Sequence, residues 1–256
     1  MIVTYLLDTH TLPDPVENPE LLDGLPQERI EKIRRLKHTE SRKQSLGAGL
    51  LLEHGLRQAA EYAGEGHQQA AELSSVIEYG AFGKPHLAEG APFNLSHTGS
   101  YAIVSIMLSK ENAAPDKTAI GCDIEQVRKY DPRLARRFFT GTEYQILEGT
   151  DADRQADMFC RYWTRKESVL KMTGLGMSLP LDLFEISSGN VAVPDEKRLA
   201  AWQASAEGKA QAEAYGAAGE LLRSSRVQMR EYRYKDCWIT VCSTHDQFAP
   251  QIVAVM

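Results

Sequence analysis

The chain has 256 residues, 43% of them hydrophobic and 25% charged, with a net charge of −6. That length holds one large domain or two small ones with real hydrophobic cores, and the acidic balance excludes a nucleic-acid binder held by bulk positive charge. The four cysteines, Cys122, Cys160, Cys237 and Cys242, form no C-x-x-C pair and are too few for a disulfide framework, so buried free thiols are expected. No apolar run approaches the roughly 20 residues that cross a bilayer. The segment from Met1 to Asp8 is too short and too soon acidic for a signal peptide. The expectation is a cytoplasmic protein with no membrane partner.

Met1 to Leu7 is rich in β-formers and predicts a first strand. From Gln27 to about Ala60 the pattern is helical, with Ile30, Ile33 and Leu36 on one stripe and Leu46, Leu50 and Leu51 on another. Gly80 to Pro85 predicts a loop, and Tyr101 to Leu108 a buried strand. The polar stretch Ser109 to Lys117 marks the expected boundary between two lobes, 1–112 and 113–256. The second lobe opens on a strand, Ala119 to Glu125. Thr140 and Glu143 predict a capping box, with Phe139 and Tyr144 in the staple positions. A longer helix runs from Arg154 to Thr173 and stops at Gly174. Residues 195–220, rich in Ala, Glu and Gln, predict a surface helix or an excursion. Val227 to Tyr234, Trp238 to Ser243 and Ile252 to Met256 predict closing strands. Each lobe therefore runs strand, helices, strands, and the expected class is α+β with two similar halves.

Three segments carry chemistry. In Gly121-Cys-Asp-Ile-Glu-Gln126, strand alternation sets Asp123 and Glu125 on one face, with Cys122 and Ile124 on the other. Two adjacent carboxylates repel unless a cation or proton lies between them, and Mg2+ suits such oxygen ligands beside phosphate. On a helix, Trp163, Glu167 and Lys171 share a face. Glu167 can serve as a third metal ligand or a base, Lys171 can neutralise phosphate, and Lys166 offers a second cation. In Phe93-Asn-Leu-Ser-His-Thr-Gly99, Ser96, His97 and loop amides can bind a phosphate. Each segment alone also has a plainer reading: a solvated strand edge, an i,i+4 ion pair beside a packed Trp, and a polar turn.

Together, Gly83-Lys-Pro85, Phe93 to Gly99, Ile120 to Glu125, Ala135 to Phe139 with Glu143, and Trp163 to Ser168 with Lys171 and Gly174-Leu-Gly176 occur in the order and residues of a known family. The chain resembles the 4′-phosphopantetheinyl transferases of the surfactin-synthetase-activating type. The match spans about residues 80–185, with further correspondence from Glu31 to Leu52.

The resemblance implies two α/β lobes related by a pseudo-two-fold axis, with coenzyme A bound between them, and a monomer. It implies that Asp123, Glu125 and Glu167 hold Mg2+, with Mn2+ the alternative. Glu167 would be the favoured base for a serine of an apo carrier protein, acyl or peptidyl, acting directly or through water, and Lys171 would contact the pyrophosphate. Lys84, Ser96 and His97 would hold the 3′-phosphate, with Arg42 and Lys43 near the nucleotide; Gln44 stands where another Arg is often found. Carrier proteins of this kind are usually acidic helical bundles, which the basic segment Arg128 to Arg137 could meet. The competing readings are a Mg2+-dependent pyrophosphate or phosphodiester hydrolase and a coenzyme A-binding module without catalysis.

Overall fold

The computed structural model describes residues 1–64, 77–110, 118–186, 192–207, 209–224 and 227–255. Strand β1 (Ile2–Asp8) leads to helices α1 (Gln27–Arg35) and α2 (Thr39–Ala63). A short hairpin, β2 (Ile77–Tyr79) with β3 (Pro85–Leu87), precedes a longer one, β4 (Phe93–Thr98) with β5 (Tyr101–Met107). The second half opens on β6 (Ile120–Gln126), followed by α3 (Pro132–Phe138), α4 (Gly141–Glu148) and α5 (Ala152–Thr173). A hairpin of β7 (Phe184–Ile186) and β8 (Ala192–Pro194) leads to α6 (Glu196–Ala204) and α7 (Lys209–Arg223). The chain closes with β9 (Gln228–Tyr234), β10 (Cys237–Ser243) and β11 (Val253–Val255). The class is α+β, as the sequence predicts. The lobe boundary expected at 112/113 lies outside the described residues, as does Met256.

One sheet has the order β11-β1-β5-β4 and another β6-β10-β9. Each therefore sets its first strand beside its last, with the middle strand outermost, and each first strand is followed by the half's longest helix. The sheet pairs are antiparallel except for β11, which runs parallel to β1. This last strand returns the chain to the first sheet instead of closing the second. The halves share a hydrophobic cluster. Ile2, Leu6, Ile103 and Met107 from one sheet pack with Cys122, Ile124, Ile239 and Val241 from the other. All four cysteines are buried and free.

The long helical pattern near the N-terminus is two helices, broken at residues 36–38. The reason is local. The Arg42 guanidinium donates to the carbonyls of Leu36 and Lys37, giving partners to acceptors that a helix end leaves open. The capping box at Thr140 and Glu143 is present in both directions. Helix α5 ends at Gly174, whose φ of 74° is the left-handed cap that glycine adopts without strain. Phe93 to Thr98 differs from the polar turn considered above: it is a strand, and only Gly99 and Ser100 turn. The alternation of Phe93, Leu95 and His97 with Asn94, Ser96 and Thr98 gives two faces, as a strand requires.

Candidate functional site

The site lies where β4 and β6 run side by side and α5 crosses β6. The alternate face of β4 meets β6 residue by residue. Asn94 Oδ1 accepts from the Cys122 amide at 2.9 Å, Ser96 Oγ donates to Asp123 Oδ1 at 2.8 Å, and Thr98 Oγ1 donates to Glu125 Oε2 at 3.3 Å. Helix α5 approaches β6 closely because residue 121 is glycine. A Cβ there would lie 1.9 Å from the Ser168 carbonyl oxygen and 2.4 Å from the Met172 amide nitrogen. That approach delivers Lys171, whose Nζ donates to Asp123 Oδ1 and Ser96 Oγ, each at 2.7 Å. One helical turn earlier, Glu167 enters the same field.

The electrostatics follow from crowding acids in a partly dry place. Burial first, then Asp123 and Glu125, push the Glu167 carboxyl up to about 7, against the pull of Lys171. Burial and Asp123 raise Glu125, opposed by Arg128 and Thr98; the Arg128 guanidinium stands 3.9 Å from its carboxylate. Burial opposes charge on Lys171, yet the Asp123 carboxylate leaves it above the ordinary lysine value. Burial lowers His97, and the cations Lys171, Lys32 and Arg29 lower it further against Asp123.

Asp123 is 4% exposed, and its second oxygen, Oδ2, is buried with no hydrogen-bond partner. Buried carboxylate oxygens are costly unless paired, so this atom calls for a cation or donor. Together with the raised Glu125 and Glu167, the donor set fits a hard divalent ion with oxygen ligands. Among the described residues no three His, Cys, Asp or Glu side chains are drawn together as a ready-formed metal centre; Asp123 is instead neutralised by Lys171.

The other residues singled out by sequence fall in different places. Lys166 is fully buried. Its ammonium donates to the carbonyls of Leu181 and Phe184 and lies 2.6 Å from the Glu143 carboxylate. It is a core ion pair and does not face the site as a second cation. Arg42 is bound to the Asp14 carboxylate, to Thr39 and to two main-chain carbonyls, so its guanidinium is committed to the α1–α2 elbow. Lys84 donates to two main-chain carbonyls, of Ile120 and Met172. The Lys43 ammonium reaches the His10 carbonyl at 3.5 Å. Gln44 donates to the Gly99 carbonyl at 2.5 Å and so grips the turn between β4 and β5.

A superfamily profile described as 4′-phosphopantetheinyl transferase matches residues 119–218. The chain is 33% identical over 170 residues to the 4′-phosphopantetheinyl transferase Sfp of Bacillus subtilis strain 168, covering 66% of this chain and 69% of that protein. It is 33% identical over 180 residues to another 4′-phosphopantetheinyl transferase of Bacillus subtilis, covering 69% of this chain and 74% of that protein. The chain belongs to the 4′-phosphopantetheinyl transferase family. It is an enzyme, a transferase. The transferase AcpT of Salmonella typhi is 38% identical over 126 residues, 47% of this chain and 61% of that protein.

In this phosphopantetheinyl transferase, two cations on α1 that the sequence does not single out act on the site, with Ser45 beside one of them. Lys32 and Arg29 on α1 project their charge onto His97, and Arg29 donates to the Ser45 carbonyl at 3.3 Å. Ser45 Oγ is buried with no partner. A basic corner with an unpartnered buried hydroxyl beside it is suited to an anion. The sequence signal was the positive charge on α1, which the helical stripe of Ile30 and Ile33 overshadowed.

Proposed function

We propose that this enzyme transfers the 4′-phosphopantetheine group of coenzyme A to a serine hydroxyl of an apo carrier protein, acyl or peptidyl, releasing 3′,5′-ADP. The observation that carries the reading is Asp123. One of its oxygens is shared by Lys171 and Ser96 while the other is buried and unpartnered, beside two further carboxylates that burial and mutual repulsion hold toward protonation. That is the arrangement expected of residues that share a cation beside a diphosphate. The names of the relatives support the transferred group.

Asp123, Glu125 and Glu167 would hold Mg2+, with Mn2+ the alternative. When bound, the divalent ion supplies positive charge that neutralises the diphosphate. Lys171 would steady charge on the leaving 5′-phosphate of 3′,5′-ADP. Glu167 would take the proton from the attacking serine hydroxyl. The serine oxygen forms a bond to the β-phosphorus as the bond from that phosphorus to the bridging oxygen breaks. Ser96, His97, Lys32, Arg29 and Ser45 would form the anion corner for the 3′-phosphate. Coenzyme A would lie between halves 1–112 and 113–256, related by a pseudo-two-fold axis. The repeated strand order of the two sheets supports that axis. The proposed working form is a cytoplasmic monomer, and among the described residues no helix is long and apolar enough to cross a membrane.

Intact-mass spectrometry of apo carriers incubated with the enzyme, coenzyme A and Mg2+ tests the reading. Each carrier should gain one phosphopantetheine group. Asp123→Ala should cut the rate about a hundred- to thousandfold with the circular dichroism spectrum retained. Release of 3′,5′-ADP with no carrier mass gain would instead identify a hydrolase.

A further inference from the structure

Lys84 sits in the loop between β2 and β3, in the first half of the chain, yet its side chain ends in the second. Its Nζ donates to the Ile120 carbonyl at 2.9 Å and to the Met172 carbonyl at 3.0 Å. Ile120 opens β6. Met172 belongs to the last turn of α5, whose final carbonyls have no intrahelical donor. The aliphatic stem lies along the cap of the same helix: a Cβ on Gly174 would be 3.2 Å from Lys84 Cδ and 3.5 Å from Lys84 Cβ. A cation at a helix C-terminus is also favoured by the helix dipole.

A phosphate ligand must offer its ammonium to the phosphate. Here the ammonium has two main-chain acceptors at short range, and leaving them would strand a helix-end carbonyl. Burial of this group, strong enough to bring its pKa down to about 8, makes both bonds valuable.

The geometry points to Lys84 as a positioning residue whose ammonium ties the C-terminal turn of α5 to β6 instead of binding phosphate. Its effect on chemistry passes through Lys171, the neighbour of Met172, and through Glu167 one turn earlier. The kinetic part of this inference rests on the transferase reading above.

The test is Lys84→Met, which keeps the stem and removes the donors, with Lys84→Arg beside it. Three quantities are read: the dissociation constant of coenzyme A by calorimetry, kcat with a carrier, and amide hydrogen exchange across residues 170–176. Lys84→Met should leave coenzyme A affinity within about threefold and lower kcat by about 10- to 100-fold, the scale on which small misplacements act. Exchange at the end of α5 should quicken as its local stability falls, and Lys84→Arg should restore part of the protection and of kcat. A tenfold loss of coenzyme A affinity with unchanged exchange would overturn the inference and make Lys84 a ligand. Wild-type values in all three would overturn it too. Were the wild type neither to bind coenzyme A nor to modify any carrier, the transferase reading would fall while the exchange comparison still decided the capping role. Should Lys84→Met not fold, Lys84→Gln takes its place with the same readouts.

Discussion

Glu167 is held where its charge is expensive. Burial and two neighbouring acids raise its carboxyl from 4.5 to about 7. A carboxyl that binds its proton more tightly when folded contributes stability that is fully present below pH 4.5. That contribution is lost as pH rises through about 7. A divalent cation reverses the preference, because it binds the ionised form. Mg2+ should therefore raise the melting temperature more at pH 8 than at pH 5, and Glu167→Gln should remove most of that difference. An equal shift at both pH values in the wild type would show that Glu167 is no ligand. At this scale much of the candidate site is legible. Asp123, Glu125, Glu167 and Lys171 follow from strand and helix periodicity, and the structure gathers them around one crossing. The partners of Arg42 and Lys166 are not legible, because sequence shows a charge and not what pairs with it: Asp14 lies 28 residues from Arg42, and Glu143 lies 23 residues before Lys166.

The crossing of α5 over β6 is the element on which the site depends, and its requirement is absence of a side chain. Gly121 brings the helix backbone against the strand, so its substitution meets main chain and not a movable side chain. Gly121→Ala should destabilise the protein by at least the roughly 1–3 kcal/mol typical of overpacking, and should separate Lys171 from Asp123. Urea denaturation gives the first quantity, and carrier-modification rate at saturating coenzyme A the second. A variant of wild-type stability and rate would mean that α5 packs elsewhere. The glycine was visible in the sequence beside Asp123, but a strand glycine there reads equally as a bulge or a close approach. Only knowing which helix lies over the strand decides between them. Similarly, the β4 strand was hidden because Asn, Ser and Thr favour turns, whereas here they face β6 and find acceptors or donors on every second residue.

At the scale of the whole molecule, an enzyme of net charge −6 would repel an acidic carrier unless positive charge is concentrated where the two meet. Helix α3 provides such a concentration. Pro132, Arg133, Arg136 and Arg137 line a shallow groove of about 400 Å3. Arg136 is steadied by a hydrogen bond to the Tyr144 hydroxyl and Arg137 stacks over Phe138, 5.0 Å from the ring centre, while Asp131 neutralises Arg133. Two arginines thus keep their charge for a partner, and complementary charge acts mainly on the rate of encounter. Reversing both, as Arg136→Glu with Arg137→Glu, should lower kcat/KM for an acidic carrier about tenfold or more at low salt. The wild-type rate should fall with ionic strength as screening shortens the reach of the patch, and the double variant should lose most of that dependence. Coenzyme A affinity should not change, since neither arginine belongs to the crossing of α5 and β6. If the double variant bound carrier normally but lost coenzyme A, the groove would belong to the donor side of the reaction, and the carrier would have to approach over another face.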